Sequence, residues 1–182
     1  MKKKSITLIG MPASGKSTIG VILAKVLGYG FLDTDLLIQM RTGKRLPELI
    51  EQLGTDGFIR LEEDLICEVQ PDDGHPTVIA TGGSAVYGAR AMAHLAEFGP
   101  VCYLQVSFET IESRLRNIRQ RGVVLKPGQT LESLYDERCL LYEKYASWIV
   151  REGDRSIEEI VRELADWTEN MKVERKHAEG PE

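Results

Sequence analysis

The 182-residue sequence has little cysteine and no long apolar run. Its three cysteines, Cys67, Cys102 and Cys139, show neither CxxC pairing nor a histidine at metal-ligand spacing, which argues against a disulfide or a zinc site. No apolar run approaches the length of a membrane span, and the charged start of the chain does not resemble a signal peptide. We therefore expect a cytoplasmic protein with no membrane partner.

Positively charged residues are outnumbered: the sequence has 23 Lys and Arg and 28 Asp and Glu, which gives a net charge of −5. A chain with this balance lacks the broad basic surface of a nucleic-acid-binding protein, although a local basic pocket for phosphate remains possible. What is present is an ordinary globular composition, 42% hydrophobic and 28% charged. The length suits one α/β domain, which we expect to act as a monomer.

The most informative motif lies near the start of the chain. Residues 10–17 read GMPASGKS, which fits the phosphate-loop pattern GxxxxGK[ST], and the mainly apolar run ITLI at residues 6–9 before them predicts a buried strand. The backbone N–H groups of such a loop form an anion cradle at the start of the next helix. Lys16 would reach the β and γ phosphates, and the Ser17 hydroxyl would hold Mg²⁺.

A glycine-rich turn that fits the pattern by chance is the alternative, and the flanking strand and helix patterns argue against it. The motif thus predicts a nucleoside triphosphate site. The predicted nucleotide-binding residues in the loop are Gly10, Ala13, Ser14, Gly15, Lys16, Ser17 and Thr18.

Strand-like and helical patterns alternate along the rest of the chain. Further strands are predicted near residues 31–33, 77–81, 101–106 and 148–150, with helical segments between them. This alternation implies right-handed crossovers and a parallel sheet covered on both faces, with ligands at the carboxyl ends of the strands. We predict a three-layer α/β P-loop NTPase fold with five parallel strands.

Residues 1–170 are predicted to form a single domain with two accessory segments. The helical insert at about residues 36–70 is the candidate substrate-binding segment, and the loop at about residues 121–130 is the candidate lid. Residues 171–182 are mostly charged, so we expect a disordered tail there.

Two carboxylates, Asp33 and Asp35, stand at the predicted end of the second strand. One can hold Mg²⁺ through water, and the other can accept a hydrogen bond from an attacking hydroxyl and take its proton. Because side chains alternate along a strand, Asp33 and Asp35 can share a side while Thr34 points away. The alternative is that Asp35 only caps a helix.

Several arginines could serve an anionic ligand. A solvated helix face is the ordinary explanation for a run such as Arg114, Arg116, Arg119 and Arg121. Arg121 differs because it stands at the predicted lid hinge, from which it could reach the transferring phosphate. Arg138 could reach inward to an anionic substrate, a surface ion pair being its alternative.

Together these elements resemble the shikimate kinase family of small-molecule kinases, from Ile6 to about Leu164. The phosphate loop alone is shared by many NTPases, whereas the whole series in this order is specific. The matching elements are the phosphate loop, Asp33-Thr34-Asp35, Arg41-Thr42-Gly43, Phe58 with Glu62, Thr81-Gly82-Gly83, and Arg138 with Leu141-Tyr142.

The resemblance implies ATP- and Mg²⁺-dependent phosphorylation of a hydroxyl on a small metabolite, with shikimate to shikimate 3-phosphate as the leading candidate. By the same resemblance, Lys16 and Ser17 serve ATP and Mg²⁺, Asp33 supports Mg²⁺, and Asp35 orients the substrate hydroxyl. Arg114 would flank adenine, Arg121 would be the lid arginine, and Gly82, Gly83 and Arg138 would line the substrate site.

Four departures from the family pattern bear on the substrate. Where the family has a phenylalanine-arginine pair that binds the substrate carboxylate, Phe58 is followed by Ile59. Arg60 comes one position later, about 100° round a helix, so it is a substrate-binding candidate that needs a local register change. The other departures are Ser84 for a third glycine, Arg121-Gly122-Val123 for arginine-proline-leucine, and Leu140 for a proline.

Three alternatives stay open. A paralogous kinase would phosphorylate a polyol, sugar acid or hydroxy amino acid in a pocket marked by Ile59 and Ser84. A regulator without catalysis would only bind nucleotide. The sequence argues against this alternative, because the residues expected to act in catalysis are all present: Lys16, Ser17, Asp33, Asp35 and Arg121. A nucleoside monophosphate kinase would need several arginines for a second phosphate, and the insert offers Arg41, Arg45 and Arg60.

Overall fold

A computed structural model describes residues 4–71, 75–116 and 128–178 of the protein. The strands are β1 (Ile6–Ile9), β2 (Gly30–Asp33), β3 (Thr77–Ala80), β4 (Val101–Gln105) and β5 (Trp148–Arg151). All pair in parallel, in the order β2-β3-β1-β4-β5. The predicted α/β fold with a five-stranded parallel sheet is confirmed, and the strand that ends at the phosphate loop lies at its centre.

Helices cover both faces of this sheet within the described ranges. They are α1 (Lys16–Leu27), α2 (Thr34–Thr42), α3 (Leu46–Cys67), α4 (Ala89–Phe98), α5 (Phe108–Arg116), α6 (Leu131–Tyr145) and α7 (Ile157–Ala178). Leu8 packs in a cluster with α1 and α7, whereas Ile9 packs with α4 and α6 on the opposite face. All four residues of β1 are buried, and a strand buried on both faces has no polar side, which is why three of the four are apolar and the fourth, Thr7, is also buried.

Three local features differ from the sequence prediction. The insert sequence predicts helices at residues 36–41, 46–53 and 58–69, and the last two are assigned together as α3, although Gly54, with φ 68° and ψ 174°, breaks the helical geometry inside it. β2 ends at Asp33, so Asp35 lies in the first turn of α2. α7 continues to Ala178, into the segment expected to be disordered, because the charged residues there also have high helix propensity.

Most of the predicted lid, including Arg121, lies outside the described residues, as does Arg119. The described chain resumes at Gly128, and Thr130 caps α6 by accepting a hydrogen bond from the backbone N–H of Ser133. Among the helices that are described, none is long and apolar enough to cross a membrane.

Candidate active site

The phosphate loop connects the central strand to the start of α1. Gly15, which precedes the helix, has φ +89°, a left-handed conformation that glycine adopts without steric cost. Ala13 also has a positive φ, of 65°. Because the first N–H groups of a helix have no intrahelical partner, and Gly15 supplies no side chain to cap them, this helix end can receive an anion.

Lys16 is buried and folds back over the loop. Its Nζ donates to the carbonyl oxygens of Gly10 at 2.8 Å and Met11 at 2.7 Å, and it contacts Ser14 Oγ at 3.4 Å. The ammonium is therefore held beside the helix end that receives an anion. A fixed positive charge at this position is what the phosphates of a nucleotide require.

Ser17 and Asp33 form a pair of adjacent oxygens. Ser17 Oγ donates to Asp33 Oδ2 at 2.6 Å. Oxygen donors of this kind suit Mg²⁺, which commonly takes one or two protein oxygens and completes its shell with water and phosphate oxygens. In the described ranges no three His, Cys, Asp or Glu residues gather into an all-protein metal site. The donor set thus fits a metal held jointly with a nucleotide.

The other oxygen of Asp33 caps α2. Asp33 Oδ1 accepts hydrogen bonds from the backbone N–H groups of Asp35 at 3.0 Å and Leu36 at 3.3 Å. The prediction that Asp33 and Asp35 share one face of a strand is therefore wrong, since the strand ends between them. The helix cap considered for Asp35 belongs to Asp33, which leaves the Asp35 carboxylate at the cavity.

A cavity of about 640 Å³ lies above the carboxyl ends of the strands. One group of lining residues surrounds the phosphate loop, and a second group comes from the insert, the turn after β3, and α6. The first group includes residues 13–18, Asp33, Arg114, Glu152 and Ile157, and the second includes Asp35, Phe58, Gly83, Ser84 and Arg138. Most of the predicted nucleotide residues therefore share one cavity with the predicted substrate residues Asp35, Gly83 and Arg138, whereas Gly10, Gly82 and Arg60 are not in its lining.

Arg114 connects the phosphate loop to the segment after β5. Its Nη1 donates to the Ala13 carbonyl at 3.2 Å and to Glu152 Oε2 at 3.1 Å, and its Nη2 pairs with Glu152 Oε1. The guanidinium is thereby held at the edge of the loop. This is consistent with the place beside a nucleotide that the sequence predicted.

Gly82 and Gly83 let several side chains crowd one wall of the cavity. A Cβ on Gly82 would lie 2.3 Å from Glu62 Oε1 and 2.6 Å from Asp35 Oδ1. A Cβ on Gly83 would lie 2.6 Å from Pro12 Cδ and 3.1 Å from Arg138 Nη1. The space beside the backbone of this turn is therefore filled by the protein's own groups.

Arg138 is 1% exposed and is part of this wall. Its Nε donates to Tyr87 Oη at 3.4 Å, and its guanidinium lies 5.3 Å from the centre of the Tyr87 ring. Tyr142, one turn further along α6, donates to the Gly83 carbonyl at 2.7 Å and so ties α6 to the turn. The structure places Arg138 inward, not in the surface ion pair that was its alternative.

Arg60 does not reach the cavity. Its Nε donates to the Asp56 carbonyl on its own helix at 3.3 Å, and the residue is exposed. The inward position belongs instead to Ile59, which packs against a cluster that includes Phe58. The candidate role of Arg60 in substrate binding is thus not supported, because α3 keeps its helical register and turns Arg60 away by about 100°.

Glu62 is part of the family pattern in the sequence, but the pattern alone predicts no role for it. It is 1% exposed, and its Oε2 accepts a hydrogen bond from Ser84 Oγ at 2.5 Å. Burial raises the pKa of the Glu62 carboxyl to about 8; the Asp35 charge adds to the rise, and the Ser84 hydrogen bond and the charges of Arg138 and Lys16 oppose it. The carboxyl is therefore mostly protonated at neutral pH.

The sheet order, the phosphate loop, the serine-aspartate oxygen pair and a second polar wall across the same cavity define a P-loop kinase. The family model of shikimate kinase matches residues 12–169. The chain belongs to the shikimate kinase family.

Individual relatives agree with this assignment. The chain is 33% identical to a shikimate kinase from Aliivibrio fischeri over 170 residues, which is 92% of this chain and 98% of that one. Among solved structures it is similar to a shikimate kinase from Acinetobacter baumannii in complex with shikimate, with a TM-score of 0.77, 29% identity, and coverage of 95% and 94% of the two chains. It is also similar to the shikimate kinase from Aquifex aeolicus, with a TM-score of 0.71, 30% identity, and coverage of 88% and 93%.

Proposed function

We propose that the protein transfers the γ-phosphoryl group of ATP to a hydroxyl of shikimate, giving shikimate 3-phosphate, with Mg²⁺ as the metal. The observation that carries this proposal is the single cavity lined by both the phosphate loop and the wall with Asp35 and Arg138. A kinase of this class needs a nucleotide and an acceptor hydroxyl in one enclosed space, because positioning supplies much of the rate.

On the nucleotide side, the residues of the loop bind the phosphates. The loop N–H groups and Lys16 hold the phosphate charge, and Arg114 flanks the base. Ser17 and Asp33 would hold Mg²⁺, which would neutralise phosphate charge. Arg121 is proposed as the lid arginine on the strength of the sequence alone.

On the acceptor side, Asp35 accepts a hydrogen bond from the attacking hydroxyl, orients it and takes its proton. A carboxylate in this role is expected to contribute roughly 10²- to 10⁴-fold to the rate. Arg138 binds the anionic group of the acceptor through its guanidinium, a geometry that matches a carboxylate. Gly82 and Gly83 form the part of the wall between these two side chains.

A second candidate is a paralogous kinase that phosphorylates another hydroxylated metabolite. It is favoured by Ile59 at the position where the family has an arginine, and by the exposed location of Arg60. Among the described residues, Arg138 is the arginine on this wall, and such a pocket suits a sugar acid or hydroxy amino acid that needs one cationic contact.

The test is ADP release from ATP and Mg²⁺ with a panel of acceptors: shikimate, a sugar acid, a polyol and a hydroxy amino acid. We expect turnover above the acceptor-free background with shikimate. Turnover with another acceptor and none with shikimate supports the second candidate and rules out the first. The absence of turnover with every acceptor, despite ATP binding, supports a regulator.

A further inference from the structure

Glu62, which is 1% exposed and lies directly behind the cavity wall, has no part in the phosphoryl transfer proposed above. Glu62 lies between Asp35, Ser84 and Arg138, and all three of these neighbours line the cavity. Its Oε2 is held by Ser84, whereas Oε1 has no hydrogen-bond partner among the described residues. A buried carboxylate oxygen without a donor is costly, whereas a protonated carboxyl tolerates the site more easily.

The charged groups that face Glu62 come from three other elements. Asp35 faces it from α2, Lys16 from α1, and Arg138 from α6 together with the Tyr142 hydroxyl. The next residue on its own helix, Glu63, pairs instead with Arg90. Burial is the largest influence on the Glu62 pKa, and the two cations do not outweigh it.

The charge state of Glu62 determines how the wall treats an anion. In the neutral state, the wall presents the Arg138 guanidinium and one carboxylate, Asp35. In the ionised state, a second negative charge appears next to both of them. Since charges in a poorly solvated site interact strongly, that second charge disfavours an anionic acceptor far more than an uncharged one.

We propose that Glu62 is a specificity-determining residue that works in its protonated form, held by Ser84, and keeps the wall at Asp35 and Arg138 receptive to an acceptor that carries a carboxylate. This inference rests on the proposed function in taking the acceptor to be anionic. It assigns Ser84, which stands where the family has glycine, a defined task as the hydrogen-bond donor to Glu62.

The first experiment compares the binding of shikimate and of its uncharged methyl ester between pH 6 and pH 10, by calorimetry in the presence of ADP. We expect shikimate affinity to be constant below the Glu62 pKa and to fall above it by up to about tenfold per pH unit, as linkage requires. The affinity for the methyl ester should show no such fall at the Glu62 pKa. A shikimate profile without this fall, or the same fall for both ligands, overturns the proposal.

Two variants test whether the pH at which shikimate affinity begins to fall, here called the break, is set by Glu62. Glu62→Gln is neutral at every pH, so its shikimate profile should lose the break. Ser84→Ala removes a hydrogen bond that lowers the Glu62 pKa, so its break should move to higher pH. The matched control is Glu63→Gln, whose carboxylate faces Arg90 and not the cavity, and its break should match that of the parent protein. If Glu62→Gln does not fold, the direction of the Ser84→Ala shift decides.

A second measurement separates this inference from the proposed function. Infrared difference spectra of the parent protein minus Glu62→Gln, or minus Ser84→Ala, are recorded without acceptor at pH 6.5. A protonated-carboxyl band in the difference supports the inference whichever acceptor the enzyme uses, and its absence overturns the inference even if shikimate is phosphorylated. If shikimate gives no turnover but the band is present, only the proposed substrate fails, and the binding profiles are then measured with the anionic acceptor found in the panel.

Discussion

The two ends of the cavity are built in different ways. The nucleotide end is largely one continuous segment, residues 10–18, whose backbone and Lys16 form most of the site. The acceptor end is assembled from Asp35 in α2, Glu62 in α3, the turn at Gly82 to Ser84, and Arg138 in α6. A substitution at the first end changes contacts within one loop, whereas a substitution at the second end changes the charge and space around neighbours that come from several elements.

The largest effect is expected from Asp35→Asn. The amide cannot take the proton of the attacking hydroxyl, so acceptor-dependent ADP release should fall by about 10²- to 10⁴-fold. Binding of a fluorescent ATP analogue should stay unchanged, because the nucleotide end is intact. Asp64→Asn, on the exposed face of α3, serves as the control and should keep full turnover. Equal loss of ATP binding in Asp35→Asn would show that the two ends are not separable.

Arg138→Gln should affect the acceptor end of the cavity and leave the nucleotide end unchanged. Removing a buried cation that binds an anionic acceptor should raise the KM for that acceptor by about 10²-fold, the usual scale for one partner of a buried charged pair. The KM for ATP should change little. Steady-state kinetics with each substrate varied in turn measures both, and a selective rise in the ATP KM would place Arg138 at the wrong end.

Glu62 should also affect folding stability in a pH-dependent way. Its pKa is raised on folding from 4.5 to about 8, so between these values the folded protein binds a proton that the unfolded chain has released. The contribution of Glu62 to stability is therefore fully present below pH 4.5 and is lost as the pH rises to 8, by about 1.4 kcal/mol per pH unit.

Denaturant unfolding of the parent protein and Glu62→Gln at pH 5, 6, 7 and 8 measures this effect as the difference between the two free energies of unfolding. The parent should lose stability relative to the variant as the pH rises. A difference that is independent of pH would mean that Glu62 ionises normally in the folded protein.

The smallest effect is expected from Arg60→Gln. Because Arg60 is exposed and contacts only its own helix in the described structure, the KM for the acceptor should change by less than about twofold, as for surface substitutions in general. This variant is also the natural partner of Arg138→Gln, since it makes the same change of side chain outside the cavity. A KM that rises as much as in Arg138→Gln would mean that α3 rotates when the acceptor binds.

The sequence predicted the nucleotide end and the sheet well, because both depend on local patterns. A phosphate loop is contiguous, and buried parallel strands are short apolar runs. The sequence prediction failed where the boundary between a strand and a helix had to be placed to within one residue. Asp33 and Asp35 look equivalent in sequence, yet the strand ends between them and Asp33 caps the helix. Likewise, the rotation of about 100° between neighbouring helix positions turns Ile59 inward and Arg60 toward solvent, so Arg60 does not take the predicted place in the substrate site.

The Glu62–Ser84 contact could not be predicted, because it joins residues 22 positions apart through a turn whose shape depends on the whole sheet. A signal was nevertheless present. Ile59 and Ser84 are both departures from the family pattern, and in the structure they belong to the helix and the turn that enclose Glu62. The hydroxyl that one of these departures, Ser84, supplies is the group that contacts Glu62.

The close contacts at Gly82 and Gly83 also set a limit for protein engineering. Added side chains at these positions would collide with Glu62, Asp35, Pro12 and Arg138 before they could touch a ligand. Directed evolution of acceptor preference should therefore leave these two codons fixed. Libraries at Ile59 and Ser84 have more freedom, because these positions already carry side chains that differ from those of the family.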